Sequence, residues 1–358
     1  MRRSIVGLVA LVMGVGLGSS AIAADVPEQA RSRVDRLVTQ LGIDTPWRAA
    51  AVEAIDPDPS CDDNTSLRVW LQSQLAGVSP STLDVLLQFG VLDWAFFWTL
   101  GGDPDPSDEF FGVDGEYTRE QLRRQREHLG FWTVDLDDVF LQAAHGAVVA
   151  DDARMVQLVA FVIGVDQPTA QAIVDLVQAA IESDPGIDFD HPILTFNAFA
   201  FPEQVVPGLG PLPAKVIMGD GILEGLEAIG LGDVAPDFTL AHEMAHQVQY
   251  DLGIFSDGTP EGTRRTELMA DGLATYELAH IRGATFQTKR LVDSVAVTFN
   301  VGDCDFGAPN HHGTPEQRKR AATWGVDLAT SAHPRATIIP SDQLPALFDE
   351  ALNSILSG

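Results

Sequence analysis

The stretch Leu240-Ala-His-Glu-Met-Ala-His-Gln-Val-Gln249 constrains this chain more than any other. On an α-helix, residues four apart lie one turn above each other on the same face. His242 and His246 in a helix can therefore grip one metal ion, and Glu243 beside the first His can reach a water on that ion. Pro236-Asp237 opens such a helix and Gly253 closes it. Leu240, Ala241, Met244, Ala245, Val248 and Leu252 form a stripe for burial, while His242, His246 and Gln249 share a different face. Burying the stripe aims both imidazoles into a cleft. The plain alternative is a helix that happens to carry two His residues.

A hydrolytic zinc site takes three protein ligands and keeps a fourth position for water. A third His ten residues after the first is one arrangement, but Leu252 stands there. The next candidate lies on the following helical stretch, Thr263 to Tyr276, where Glu267 and Asp271 are four apart on one face. Glu267 is assigned as third ligand, and Asp271 as the carboxylate that accepts the other ring N–H of a ligand His. Otherwise the pair is a solvated acidic face. With one catalytic Zn2+ held by His242, His246 and Glu267, bound water loses its proton to Glu243, and the hydroxide attacks a polarised carbonyl. A tetrahedral oxyanion needs a further donor. His311 and His312 precede a marked helix start, with Thr314 as N-cap, Pro315 first in the helix and Gln317 completing a capping box. His312 is the preferred donor; the alternative is a loop histidine.

The rest of the chain divides in two. From Asp25 to about Asp184 it reads as mostly helical: Val34, Leu37, Val38 and Leu41 make one stripe, ended by Gly42. Ser79-Pro80-Ser81 opens another segment, and Phe96, Phe97 and Trp98 belong to a core. Asp103, Asp105 and Asp108 invite a calcium loop, but Asp108 replaces the glycine that the pattern needs. Arg119, Arg123, Arg124 and Arg126 read as a solvated face, and His145 as structural. Character changes at Ser183-Asp184-Pro185-Gly186. Ile193 to Phe201 and Lys215 to Met218 read as strands, and Ile222 to Ile229 as a helix. An exposed strand edge beside a metal helix can hold an extended peptide; an ordinary sheet is the equal alternative.

Arg2 and Arg3, the apolar run Ile5 to Gly18 and Ala21-Ile22-Ala23 form a signal-peptide pattern over residues 1–23. Export to the periplasm or medium is expected, with no stable membrane insertion after cleavage. In that setting Cys61 and Cys304 read as a disulfide, with a metal-blocking Cys61 thiolate as the alternative. The formal charge of −29, with Lys215, Lys289 and Lys319 as the only lysines, argues against nucleic acid and anionic membranes as partners.

Leu240 to Gln249, Glu267 to Gly272, Gly302-Asp303 and His312 to Arg318 with Trp324 occur in the order seen in the bacterial neutral zinc metallopeptidases. The Asn197-Ala198-Phe199-Ala200 stretch and the Glu-x-x-x-Asp helix also resemble the wider gluzincin group. The resemblance spans roughly residues 190 to 330. It implies a zinc metallopeptidase with His242, His246 and Glu267 as ligands and Glu243 as base. Gly272 departs from it, where the neutral metallopeptidases often carry Cys, and the N-terminal half matches neither family.

The expected fold is α+β and mainly helical. A gluzincin-like domain over 185–358, with a small edge sheet and an active-site helix, follows a helical region over 24–184, either companion domain or pro-segment. The expected partner is a peptide or protein substrate. The rival readings are a non-catalytic exported metal-binding protein or pseudoenzyme, and a zinc hydrolase of another amide such as a cell-wall peptide.

Overall fold

A computed structural model of the chain describes residues 25–41, 48, 51, 65–102, 109–302, 311–331 and 336–357. Chain order runs α1 (Asp25–Leu41), α2 (Ser66–Leu75), α3 (Pro80–Phe89), α4 (Trp94–Gly101), α5 (Thr118–Phe131), β1 (Phe140–Ala144), α6 (Asp152–Ile163) and α7 (Gln167–Glu182). It continues through β2 (Ala198–Phe201), β3 (Gln204–Val206), β4 (Gly210–Leu212), β5 (Lys215–Gly219) and α8 (Asp220–Ala228). The last helices are α9 (Ala235–Asp251), α10 (Pro260–Ala279), α11 (Thr288–Asn300), α12 (Pro315–Ser331) and α13 (Leu344–Ser357). The protein is thus mainly helical with a small mixed sheet, as the sequence leads one to expect.

Local chemistry sets the helix ends. Ser79 Oγ accepts the Thr82 N–H at 3.2 Å with Pro80 next in line, and Gly90 at φ 64° ends α3 in the left-handed region. Thr259 caps α10 in the same way through the Gly262 N–H at 3.0 Å. The capping box ahead of α12 forms reciprocally: Gln317 N–H donates to Thr314 Oγ1 at 3.2 Å and Thr314 N–H to Gln317 Oε1 at 3.1 Å.

The sheet has β5 in the centre, β1 parallel on one side and β2 antiparallel on the other. Sequence periodicity misses β1, because Phe-Leu-Gln-Ala-Ala is buried from Leu141 onward and shows no alternation. It pairs Phe140 with Lys215 and Ala144 with Gly219, so a strand from the first half of the chain lies in one sheet with strands from the second. The expected boundary after Asp184 is a tied turn rather than a loose linker. The Asp184 carboxylate accepts N–H groups of Ser79 and Gly186 at 2.8 and 3.0 Å, and a Cβ on Gly186 would lie 2.0 Å from the Gly77 carbonyl oxygen. One hydrophobic core runs from Ala30 to Ile355.

Neither sheet edge is open. Ala198, Phe199, Ala200 and Phe201 are all buried, and the Glu109 carboxylate accepts the Ala143 N–H at 2.9 Å on the outside of β1. The expectation of an exposed peptide-binding edge therefore fails, and covering such an edge is a common protection against unwanted strand pairing. The strand expected from Ile193 is also shorter: Pro192–Thr195 is a 3-10 turn, and β2 starts only at Ala198. Phe96 and Phe97 are buried as expected, while Trp98 is half-buried. No single helix among the described residues is long and apolar enough to cross a membrane. The bent pair Pro80–Phe89 and Val91–Gly101 passes by length and composition, but its Leu86, Phe89, Trp94 and Phe96 are core residues.

The supposed solvated arginine face is interrupted by Arg124, which is buried with Nε 2.8 Å from Asp237 Oδ1 at the start of α9. Arg290 of α11 donates to the other Asp237 oxygen at 2.9 Å. Deeper in, His128 Nδ1 and Glu277 Oε2 meet at 3.5 Å, both fully buried. Burial pushes Glu277 up to about 8 and His128 down to about 3, so both are neutral near pH 6.

Because folded Glu277 holds its proton above its ordinary value of 4.5, its contribution to stability is lost as pH rises toward 8. Folded His128 stays neutral below its ordinary 6.5, so its contribution is lost as pH falls toward 3. Of these two groups only Glu277 contributes a loss between pH 6.5 and 8, and the raised His242 contributes equally to wild type and variant. Replacing Glu277 by Gln removes the Glu277 loss, and urea unfolding should find the variant gaining on wild type by on the order of 2 kcal/mol across that window. A constant difference between pH 6.5 and 8 would refute the buried neutral carboxyl.

Candidate metal centre

Helix α9 is more deeply set than an amphipathic stripe requires: every residue from Ala235 to Gln249 is buried, whichever face it is on. Polar side chains fix it to the sheet. Gln247 Nε2 donates to the carbonyls of Phe201 and Lys215 at 3.1 and 2.7 Å, and Tyr250 Oη donates to the Ala200 carbonyl at 3.4 Å. Lys215 itself, wholly buried, donates from Nζ to the carbonyls of Thr99, Leu100 and Gly102 at the end of α4. Those carbonyls lack helical partners, so the ammonium satisfies them while being satisfied itself.

The face of α9 carrying His242 and His246 meets Glu267 of α10. His242 Nε2 and His246 Nε2 are 3.2 Å apart, and each lies close to the Glu267 carboxylate, at 3.3 Å from Oε2 and 3.2 Å from Oε1. The two Nε2 atoms thus touch each other, and each touches a different oxygen of the same carboxylate. One ligand atom from each of the three residues lies within 4.8 Å of the other two, a spacing that one ion with bonds of about 2.0–2.1 Å can bridge after small side-chain adjustments. This buried His-His-Glu group can hold a metal ion. It is the one group of three or more His, Cys, Asp or Glu among the described residues that can.

The imidazoles are held from behind. His242 Nδ1 lies 3.0 Å from Asp271 Oδ1, and His246 Nδ1 lies 3.0 Å from Gln249 Oε1. Gln249 Nε2 donates to the Thr266 carbonyl at 2.8 Å, so its oxygen must face the ring. Hydrogen on Nδ1 of both rings would leave Nε2 for a metal once the proton on His242 Nε2 is displaced, the tautomer that metal binding needs. Asp271 is clamped in turn by Arg318 of α12, whose Nε and Nη2 donate to its two oxygens at 2.8 and 2.7 Å. Arg318 Nη1 also stands 3.8 Å from Glu267.

Two glycines allow the clamp. A Cβ on Gly325 would lie 1.9 Å from the Gly272 carbonyl, and one on Gly272 would lie 2.8 Å from the Trp324 ring. With glycine at both positions α10 and α12 cross close enough for Arg318 to reach Asp271. Here Gly272 has a packing reason.

Electrostatics is that of a cation site. Burial opposes a charge on His242, but hydrogen bonds to the Asp271 and Glu267 carboxylates, with Glu243 nearby, outweigh it and push its pKa up to about 10. Burial likewise opposes ionised Glu267, and the charges and hydrogen bonds of His246 and His242 hold it well below the usual carboxylate range. In the metal-free protein, positive charge among these carboxylates comes from protons, which a metal must displace.

Glu243 is fully buried on the same helix. His311 and His312 are also buried, just before α12, where Gly313 meets Leu268, the residue after Glu267. Neither lines the cavity that reaches His246 and Glu267. Leu252, where a three-His site would need an imidazole, packs against the core. His145 bonds Asp220 at 2.7 Å, away from the cluster's partners. The expected signal segment 1–23, both cysteines of the expected Cys61–Cys304 disulfide and the aspartates at 103, 105 and 108 lie outside the described residues.

Sequence reasoning missed the roles of two residues. Gln249 was visible on the His242/His246 face, and its i+3 spacing from His246 is the signal for its role. Arg318 gave no local signal beyond its place in the HGTPEQR stretch. No family model, curated protein or solved structure matches the chain.

Replacing Arg318 by Leu leaves Asp271 buried without its clamp. Unfolding should lose on the order of 3 kcal/mol, and metal affinity should fall about 10- to 100-fold, as measured by competition with a chelating dye. Gln249→Leu should weaken metal binding in the same assay with a smaller stability loss. Unchanged affinity in both would show that these partners do not orient the ligands.

Proposed function

We propose that the chain is an exported zinc metallopeptidase of the gluzincin type, acting on peptide or protein substrates. The observation that carries this reading is the buried cluster in which His242 Nε2 and His246 Nε2 lie 3.2 Å apart and 3.2–3.3 Å from the two oxygens of the Glu267 carboxylate, with Glu243 next to His242 on the same helix. Soft or hard cations are bound by other donor sets; two imidazoles and one carboxylate suit a catalytic zinc that keeps a position for water. Zinc bound there would supply Lewis acidity, lowering the pKa of a coordinated water from about 15.7 toward 7.

The chain's own residues do the rest. Glu243 takes a proton from the attacking water and returns it to the leaving amine, the work of a carboxylate general base. Asp271 and Gln249 hold the imidazoles in the ligating tautomer, and Arg318 holds Asp271 in place. His312, buried beside the Glu267 turn, is the proposed donor to the developing oxyanion. The basic and apolar segment over 1–23 supports export, and the net charge of −29 supports neutral or basic substrates over acidic ones.

Metal analysis combined with casein and peptide-library hydrolysis tests this. Wild type should carry about one zinc per chain and cleave peptides. Glu243→Gln should keep the metal while losing activity by at least about 100-fold. Glu267→Ala should lose stoichiometric metal. A zinc-loaded wild type no more active than Glu243→Gln would remove the enzyme reading.

A further inference from the structure

The inward face of α5 is polar. Gln121, Arg124 and His128, spaced by three and four, are all buried, and His128 meets Glu277 of α10 at 3.5 Å. No hydrogen bond forms across that gap. Both ring nitrogens of His128 and both carboxyl oxygens of Glu277 are buried without a hydrogen-bond partner in the protein. A carboxylate ion left without a donor is too costly to bury, so this setting holds Glu277 as the neutral acid.

The cover over this carboxyl is thin. After α10 ends, residues 281–287 cross back over it. The Gly283 N–H donates to the His280 carbonyl at 2.9 Å, the Ala284 N–H to the Glu277 carbonyl at 3.3 Å and the Phe286 N–H to the Leu278 carbonyl at 2.8 Å. A Cβ on Gly283 would lie 2.0 Å from the Glu277 carbonyl oxygen and 3.1 Å from its Oε1, so the crossing is as close as a glycine permits. Gly283 is itself half-buried, and Ile281 and Arg282 before it are exposed. Thr285 stands at φ 56°, the one residue other than glycine with a positive φ among the described residues. A β-branched residue held there is strained, and lifting the segment releases the strain.

Phe286 fastens the far end of the segment. Its buried ring lies 3.8 Å from the Arg290 guanidinium and 5.1 Å from that of Arg124. Both cations also reach Asp237 in the first turn of α9. The charged groups facing Glu277 are Arg124 and Glu127 of α5 and Asp237 of α9, beside neutral His128. Arg290 and Glu120 join them through Asp237, and His280, where the segment begins, is turned to the Thr337 carbonyl at 3.2 Å. Arg124, the cation facing the carboxyl, is already 2.8 Å from Asp237 and bonded to Glu127. A carboxylate formed at Glu277 would therefore call for water, and the short way in is past Gly283.

We propose that residues 281–287 are a pH-gated strap, closed over Glu277 while it is the neutral acid and lifted when it ionises, which withdraws Phe286 from the two arginines that hold the first turn of α9. The strap needs neither a bound metal nor turnover to act, so it stands apart from the peptidase reading.

Under the closed strap Glu277 ionises at about 8, and once wetted it returns toward its ordinary 4.5. Protons therefore favour closure, and opening increases as pH rises to about 8 and levels off above it. A wetted His128 acts in the opposite sense below its ordinary 6.5, so the test starts there. From pH 6.5 to 8.5 the opening constant should rise roughly ten- to thirtyfold. Hydrogen exchange over residues 279–288 of the full chain, corrected for the chemical exchange rate, reads this rise, and tryptic cleavage after the exposed Arg282 reads it independently. Glu277→Gln should stay closed at both pH values, and it controls for the protease's own pH dependence. Gly283→Ala, whose Cβ does not fit under a closed strap, should be cut rapidly already at pH 6.5. Equal protection of wild type at both pH values, a rise that persists in Glu277→Gln, or a Gly283→Ala variant as resistant as wild type overturns the strap. Exchange that rises equally through α9 and α10 marks global unfolding and overturns it too, whether or not Glu277→Gln folds.

Discussion

The buried pairing of Arg318 with Asp271 is the interaction on which the site depends. Taking both charges out of water costs several kcal/mol per ion before their attraction is counted. The cost is offset here by two parallel N–H···O bonds at 2.7–2.8 Å and by the His242 Nδ1 that uses the same carboxylate. Such an arrangement tolerates no loose helix crossing, and the Gly272–Gly325 approach removes the side chains that would keep α10 and α12 apart. One buried carboxylate therefore couples three helices: it sits on α10, orients a ring on α9 and anchors to α12. The candidate ligand Glu267 is one turn away from it, so whatever positions Asp271 also positions Glu267.

The parts of the site legible in the sequence are those encoded within one helix. His242, Glu243 and His246 follow from i, i+4 spacing, and Glu267 and Asp271 from the same rule one helix later. The start of α12 was legible for a similar reason, since Thr314, Pro315 and Gln317 satisfy each other locally. Arg318 was not, because its partner lies 47 residues earlier and only tertiary packing joins them. Arg124 failed in the opposite direction. A polar helix with four arginines reads as solvated, yet one of them turns inward to Asp237 at the first turn of the metal-bearing helix.

The sheet shows a further limit. β2 and β5 carry the strand formers that a sequence displays, whereas β1 is short, alanine-bearing and buried, so nothing in its pattern separates it from a piece of helix. Its pairing to β5 changes what the first half of the chain is for. A cut near Asp184 would strip the central strand of its parallel neighbour and remove α4, whose carbonyl ends hold Lys215. Separating the two halves there would expose β5 and unsatisfy a buried ammonium.

The N-terminal helix bears on the site itself. Ala30, Val34 and Val38 are buried, and Val38 lines the same cavity as Tyr250 and Phe255. The helix whose apolar stripe was readable as ordinary packing is thus also a wall of the space in front of His246 and Glu267. The residues that could hold a metal lie in the second half of the chain, but the cavity beside them is lined jointly with the first. In physical terms the division at Asp184 separates the ligands from part of their cavity. A reading of residues 185–358 alone could recover the chemistry of the His-His-Glu cluster and would leave its access undefined.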